Sequence, residues 1–316
     1  MTTHPTHHRF GHVFGRSAAV TAELLEAPSV PGRAGTPPIR TMHRASRLQG
    51  EVRSVGREQG APMTSLVYTP AGGTASPARA TLVCVHGVTR RMSEQFAEWA
   101  PWAEALGLTL VTPLFSADEF PGYQRLGGLG RERRSDEALL RLLRQLRAEG
   151  LVSTGPLILF GYSGGAQFVH RFLMAHPGAA TAVAVAAAGF YTFPDPLTPF
   201  PYGLAGRQPA LETHLDGFLK KPILVAVGEA DVHRDRQLRK RLWLDAWQGE
   251  TRVDRAVRWT AALRRAASRR EISSRVEFLT LPGAGHSFTD CMAAGLGRET
   301  ASFINGVLDR ASTLAH

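Results

Sequence analysis

The chain has 316 residues, 43% hydrophobic and 20% charged, a balance that excludes wholesale disorder and supplies enough apolar material for a sizeable core. Its formal charge is +10, yet only three of its 37 basic residues are lysine, and the arginines are scattered rather than gathered on one face with interleaved aromatics, so no nucleic-acid partner is expected. No apolar run approaches the roughly 18 residues of a membrane span.

In chain order, residues 1–45 read as a weakly ordered tail. The stretch carries Pro5, Pro28, Pro31, Pro37 and Pro38 and no sustained periodicity. His4, His7, His8 and His12 lack a nearby carboxylate or thiolate in fixed geometry, so no metal is expected there. From about residue 46 to 316 the sequence reads as one α/β domain. Segments 51–57 and 64–69 alternate weakly, as half-exposed antiparallel strands do. The run Thr81 to Val85 is continuously apolar after its threonine, which predicts a strand buried on both faces of a parallel sheet. Similar runs follow at 108–111, 157–160, 182–187, 223–227 and 276–279. Amphipathic stretches between them predict helices over 93–106, 135–147, 166–175, 234–247, 253–267 and 289–309. This alternation predicts a mostly parallel central sheet with helices on both faces. One interval, 190–218, is rich in Pro, Gly and aromatics and shows no period; it is expected to be a functional loop rather than disordered. Two cysteines cannot build a disulfide framework, and Cys84 lies inside an apolar run, where cysteine acts as a small hydrophobe. With no secretory signal read at the start of the chain, the cytoplasm is the expected compartment.

The sharpest signal is Gly161-Tyr162-Ser163-Gly164-Gly165. It follows a buried strand and opens a helix, the context of a G-x-S-x-G nucleophile elbow. Such a turn strains the serine backbone, aims its hydroxyl away from the sheet and sets it at a helix N-terminus. A hydroxyl near neutral pH needs a base. His286 stands in Leu281-Pro-Gly-Ala-Gly-His286, just after the last strand, at the same sheet edge as Ser163. The base needs an acid to fix its tautomer. Asp231 follows strand 223–227 in Gly228-Glu-Ala-Asp231, with Glu229 and Asp235 as competitors. The order Ser163, Asp231, His286 is that of one hydrolase fold and differs from the two other common serine-protease orders.

These motifs, together with Leu82-Val-Cys-Val-His86-Gly87-Val88, give the sequence a resemblance to the α/β-hydrolase superfamily over residues about 50 to 310. The resemblance implies oxyanion-hole amides at Val88 and Gly164, with Thr89 as the alternative to Val88, and a bracing role for the ring of His86. It also implies that 190–218 is a cap over the acyl pocket, with Tyr162, Tyr191 and Phe193 contacting substrate and Phe200 and Tyr202 lining or covering the site. Val88 and Thr89 stand where some lipases and esterases carry further glycines. The expected activity is hydrolysis of a carboxylic ester or related acyl bond of a small molecule through an acyl-serine, with no cofactor. A non-catalytic ligand binder on the same fold would have no physical need for Ser163, Asp231 and His286 together.

Overall fold

A computed structural model describes residues 48–71, 79–127, 133–206 and 211–313. The expected tail over 1–45, with its histidines, lies outside the described residues. Among the described residues, eight strands occur in the order β1 (Glu51–Val55), β2 (Ser65–Thr69), β3 (Thr81–Val85), β4 (Thr109–Pro113), β5 (Leu157–Tyr162), β6 (Ala182–Ala186), β7 (Ile223–Gly228) and β8 (Val276–Leu281). Between them run the helices α1 (Met92–Leu106), α2 (Ser135–Ala148), α3 (Gly164–Ala175), α4 (Leu211–Leu219), α5 (Leu242–Gln248), α6 (Arg252–Ser268), α7 (Phe288–Ala293) and α8 (Leu296–Thr313). All strands join one sheet in the spatial order β1-β2-β4-β3-β5-β6-β7-β8. Strand β2 runs antiparallel to both β1 and β4, and every pairing from β4 through β8 is parallel.

The period-2 geometry of a strand explains the two layers of core. Val83, Val85, Leu159, Val183, Val185 and Val225 face a cluster that includes residues of α2, α3, α4 and α6. Their chain neighbours Leu82, Cys84, Ile158, Phe160, Ala184 and Leu224 face the opposite cluster, with residues of α1, α7 and α8. Both faces are therefore dry. That is why these strands read as unbroken apolar runs rather than alternating ones.

The order reverses beside β3: β4 is added on one side of it and β5 on the other. In an open α/β sheet, ligands bind outside the carboxyl ends of the strands at such a switch point. The loops leaving β3 and β5 carry His86-Gly87-Val88 and Ser163.

Three elements depart from the sequence expectation. The helix expected over 234–247 begins only at Leu242. Residues 234–241 are instead pinned by side chains: Arg234 donates to Asp245 Oδ2 (2.7 Å), Asp235 Oδ1 accepts the amides of Gln237 and Leu238, and Arg239 donates to Tyr202 Oη (2.6 Å). The helix expected over 289–309 is two helices, α7 and α8, parted at Gly295, whose φ of +109° only glycine adopts without strain. Within the interval 190–218, the described residues 190–206 are irregular. From Leu211 the chain is helix α4, whose Leu211, Leu215, Phe218 and Leu219 are buried at helical spacing.

Candidate active site

Strand β5 runs directly into Ser163, whose φ of 53° is positive and uncommon for a residue with a side chain. The fold holds this strain from several sides. Ser163 N–H donates to Ala186 O at the end of β6 (2.8 Å), and Ser163 O accepts from Gln167 N in the first turn of α3 (3.1 Å). The flanking glycines are required by close approach: a Cβ on Gly161 would strike the Gly165 carbonyl, and one on Gly165 would strike the Val85 carbonyl of β3. All twelve residues of α3 are buried, so the helix behind the serine is fixed in the core.

Three loops bring the predicted groups together. Ser163 Oγ–H donates to His286 Nε2 at 3.1 Å. His286 Nδ1–H donates to Asp231 Oδ2 at 2.7 Å. Ser163, Asp231 and His286 leave the carboxyl ends of β5, β7 and β8, three parallel strands, so they meet at one rim of the sheet. The two rival acids are used elsewhere. Glu229 accepts the N–H of Gly283 (3.2 Å), bracing the histidine loop, and Asp235 pairs with Arg252.

The loop after β3 supplies the remaining pieces. A Cβ added to Gly164 would sit 3.1 Å from Val88 N, so the amides of Val88 and Gly164 are close neighbours beside the serine. Both Val88 and Thr89 line the cleft, and the turn that carries them is closed by Arg90 N–H donating to Gly87 O (3.0 Å). His86 is buried and braces this loop. Its Nε2 accepts the N–H of Phe115 (3.0 Å), which leaves Nδ1–H to donate to Gly87 O (2.8 Å). Burial, with a smaller contribution from Arg90, pushes the imidazole down to about 4, so the ring stays neutral at ordinary pH.

Ser163 opens into a cleft of about 260 Å³. Its wall includes Tyr162, as expected, whose ring stacks on that of His286 at 5.5 Å. Tyr191 and Phe193 do not reach the cleft, which corrects the expectation placed on them. Tyr191 is fully buried and stacks on Trp259 of α6 at 4.6 Å, while Phe193 packs on Trp247 of α5 at 4.8 Å. Phe200 packs against the core, and Tyr202 meets Trp243 at 4.7 Å. The loop's aromatics anchor it to α5 and α6, and none of them forms the cleft wall.

Other side chains at the site belong to no motif. Gln95 of α1 and Gln237 of the 234–241 segment line the cleft. Tyr123 Oη donates to His86 O (2.7 Å), tying down the loop that carries Val88. Arg252, the first residue of α6, donates from Nη1 to Asp231 Oδ1 (3.1 Å), on the side away from His286. Cys291 lies near Tyr162 (Sγ to Oη 3.6 Å), and burial pushes its thiol up to about 11, so it offers no competing nucleophile. Among the described residues, no group of three or more His, Cys, Asp or Glu side chains is arranged to hold a metal ion, and no helix is long and apolar enough to cross a membrane.

No protein-family model matches the sequence, and no curated protein matches it. Solved structures do. A poly(3-hydroxybutyrate) depolymerase from Bordetella parapertussis is 30% identical, with a TM-score of 0.68 over 80% of this chain and 88% of that one. The chain belongs to the α/β-hydrolase superfamily. This α/β-hydrolase is also similar to poly(aspartic acid) hydrolase-1 from Sphingomonas sp. KT-1, at 25% identity and a TM-score of 0.66 over 79% of this chain and 97% of that one. An S-formylglutathione hydrolase from Agrobacterium tumefaciens, 15% identical with a TM-score of 0.55 over 84% of this chain and 97% of that one, shares the fold.

Proposed function

We propose that this chain is a serine hydrolase that cleaves a carboxylic ester of a short, polar acid, with Ser163 as nucleophile, His286 as general base and acid, and Asp231 as the group that orients the histidine. The observation that carries the reading is the continuous hydrogen-bonded relay of Ser163 Oγ, His286 and Asp231, with spacings of 3.1 and 2.7 Å. His286 takes the proton of Ser163 as its oxygen attacks the ester carbonyl. The amides of Val88 and Gly164 receive the oxyanion, each such donor contributing roughly 3 kcal/mol to the transition state. His286 then protonates the departing alcohol and activates a water that releases the acid from the serine. The acting base is neutral imidazole.

The cleft itself argues for the polar acid. Its wall carries Thr89, Arg91, Gln95, Gln237, Ser287 and Thr289, and its volume of about 260 Å³ suits a compact ester rather than a long alkyl chain. The two most similar structures described above act on polymers of small functionalised acids, a polyester and a polyamide, which fits the same substrate class. Any acyl group bound here leaves as a carboxylate, so the product is a small acid bearing a second polar group.

Fluorophosphonate labelling of the wild type and of Ser163→Ala tests the nucleophile. The wild type should label, and Ser163→Ala should lose labelling together with roughly a million-fold of kcat. Nitrophenyl esters of butyrate, 3-hydroxybutyrate and octanoate then test the class, with the hydroxylated ester expected to be turned over best. Labelling that survives Ser163→Ala would overturn the assignment. A preference for octanoate would overturn the polar acid alone.

A further inference from the structure

We propose that Arg252 is a positioning residue of the relay: from behind Asp231 it fixes the carboxylate that orients His286, and together with Asp235 it sets the pH at which the histidine becomes a competent base. The inference rests on the relay described above. Asp231 is buried, and its two oxygens have different partners: Oδ2 accepts from His286 and Oδ1 from Arg252 Nη1. Arg252 is itself buried and reaches past Asp231 to a second carboxylate. Its Nη1 donates to Asp235 Oδ2 (2.8 Å) and its Nη2 to Asp235 Oδ1 (3.0 Å), the two-pronged fit that a planar guanidinium makes and an ammonium cannot. The chain of contacts is therefore Ser163, His286, Asp231, Arg252, Asp235, ending at the half-exposed Asp235.

Helix energetics do not account for this arginine. It occupies the first position of α6, where the backbone dipole favours anions, and where Thr251 and Asp254 already form a capping box. A buried cation at a helix N-terminus is doubly unfavourable unless something nearby needs it. Asp231 is that group: a buried carboxylate facing only one histidine would otherwise leave an oxygen unpaired.

The other ionisable groups facing the relay come from three directions. Tyr162 ends β5, Cys291 and Asp290 stand on α7, and Tyr191 and Arg255 interact with the relay from the core. Burial raises the Tyr162, Tyr191 and Cys291 groups, which keeps them uncharged. Of the charged groups nearby, Arg255 is paired with Asp245, Arg91 and Glu94 stand on the cleft wall and Asp290 on α7, whereas Arg252 and Asp235 are hydrogen-bonded in line with Asp231. Burial opposes the negative charge of Asp235, but the guanidinium of Arg252 and the amides of Leu238 and Gln237 outweigh it and hold that carboxyl down to about 2. Asp235 is therefore anionic throughout the neutral range, and it offsets part of the arginine's charge.

The signs follow. Without the cation, Asp231 attracts the imidazolium more strongly, His286 keeps its proton to higher pH, and the acid limb of the kcat/KM profile moves up. Without the Asp235 charge, Arg252 repels the imidazolium more strongly, and the same limb moves down. The test is the pH profile of kcat/KM on one nitrophenyl ester for wild type, Arg252→Met, Arg252→Lys and Asp235→Asn, with a thermal melt of each. Arg252→Met should shift the limb up by about 0.5–1 pH unit and lower kcat by roughly 10- to 100-fold, since a nearby like charge disfavours the protonated ring and its loss moves a titration by such amounts. Arg252→Lys should hold the limb near its wild-type place while kcat still falls, because one ammonium cannot span both carboxylates. Asp235→Asn, which keeps the Oδ1 that accepts the amides of Gln237 and Leu238, should shift the limb down. A merely structural arginine would change the melts and leave the limbs in place. Limbs that do not move, or that move the same way in Arg252→Met and Asp235→Asn, would overturn the inference. Activity persisting in Ser163→Ala would instead overturn the relay beneath it.

Discussion

At the scale of single residues, a side chain that makes no internal sense is informative about a ligand. Gln95 is buried to 2% exposure on the cleft wall, and its Oε1 meets no hydrogen-bond partner among the described residues. A buried acceptor left unpaired costs roughly 1–3 kcal/mol. A substrate hydroxyl or amide hydrogen would recover that cost on binding. Gln95→Leu is accordingly expected to leave the melting temperature unchanged or slightly raised, while kcat/KM for 3-hydroxybutyrate esters falls by about 10-fold or more relative to plain butyrate esters. That change corresponds to one lost polar contact of about 1.4 kcal/mol. Equal losses on the two esters would show that Gln95 serves the fold instead. Gln95 carries no signature in the sequence, because a glutamine on an amphipathic helix reads as surface; only packing places it inside.

At the scale of elements, what could be read ahead of the structure was whatever chemistry is local. The elbow announces itself because Gly161 and Gly165 must lack side chains where β3, β5 and α3 converge, and the strands announce themselves because two dry faces demand unbroken apolar runs. The interval 190–218 was legible as ordered but not in its orientation. Composition says that Tyr191 and Phe193 are buried by something, whereas which way they face is decided by Trp259 and Trp247, more than fifty residues away. Likewise Gln237 and Arg252 reach the site through long-range ionic anchors that leave no periodic trace. The first part of the interval hangs on Arg171 of α3, fully buried, which donates to Thr192 Oγ1 (2.8 Å), Gln124 O (2.6 Å) and Pro201 O (3.4 Å) and lies 4.6 Å from the centroid of the Phe190 ring. Burial pushes its guanidinium down to about 9, so the cation persists at neutral pH and is solvated by carbonyls instead of water. Arg171→Met strands those carbonyls. Each stranded acceptor should cost about 1–3 kcal/mol in a denaturant titration, and the 190–205 backbone should exchange its amide hydrogens sooner than the β5–α3 elbow. Uniform exchange across both would mean that the loop is held by its aromatics alone.

At the scale of the whole molecule, the described core encloses histidines that must stay neutral. His170 on α3 is fully buried, its Nδ1–H donating to Ala166 O (2.7 Å) and its Nε2 accepting the N–H of Thr192 (3.0 Å). Burial first, and then the neighbouring Arg171, hold it well below the ordinary 6.5. His86 is held down to about 4 in the same way. Both hydrogen-bond patterns use one ring nitrogen as an acceptor, which protonation would destroy. The folded state therefore binds fewer protons than the unfolded chain between about pH 6.5 and 4, and in that window stability rises with pH. The contribution of these rings is fully present above 6.5 and is lost as pH falls; for His86 the shift corresponds to about 3 kcal/mol, a large share of the 5–15 kcal/mol typical of a folded domain. Asp136 adds to the loss at still lower pH: burial opposes its charge, but His176 and Arg134 outweigh that and keep it ionised in the fold below the usual 3.8. Denaturant titrations between pH 7.5 and 4.5 should show stability falling steadily on acidification. His170→Gln, which can keep one hydrogen bond but cannot take up the proton, should be less stable at pH 7.5 yet show a shallower slope. If its slope matches the wild type, acid unfolding is driven by the repulsion of the chain's +10 net charge rather than by its buried imidazoles.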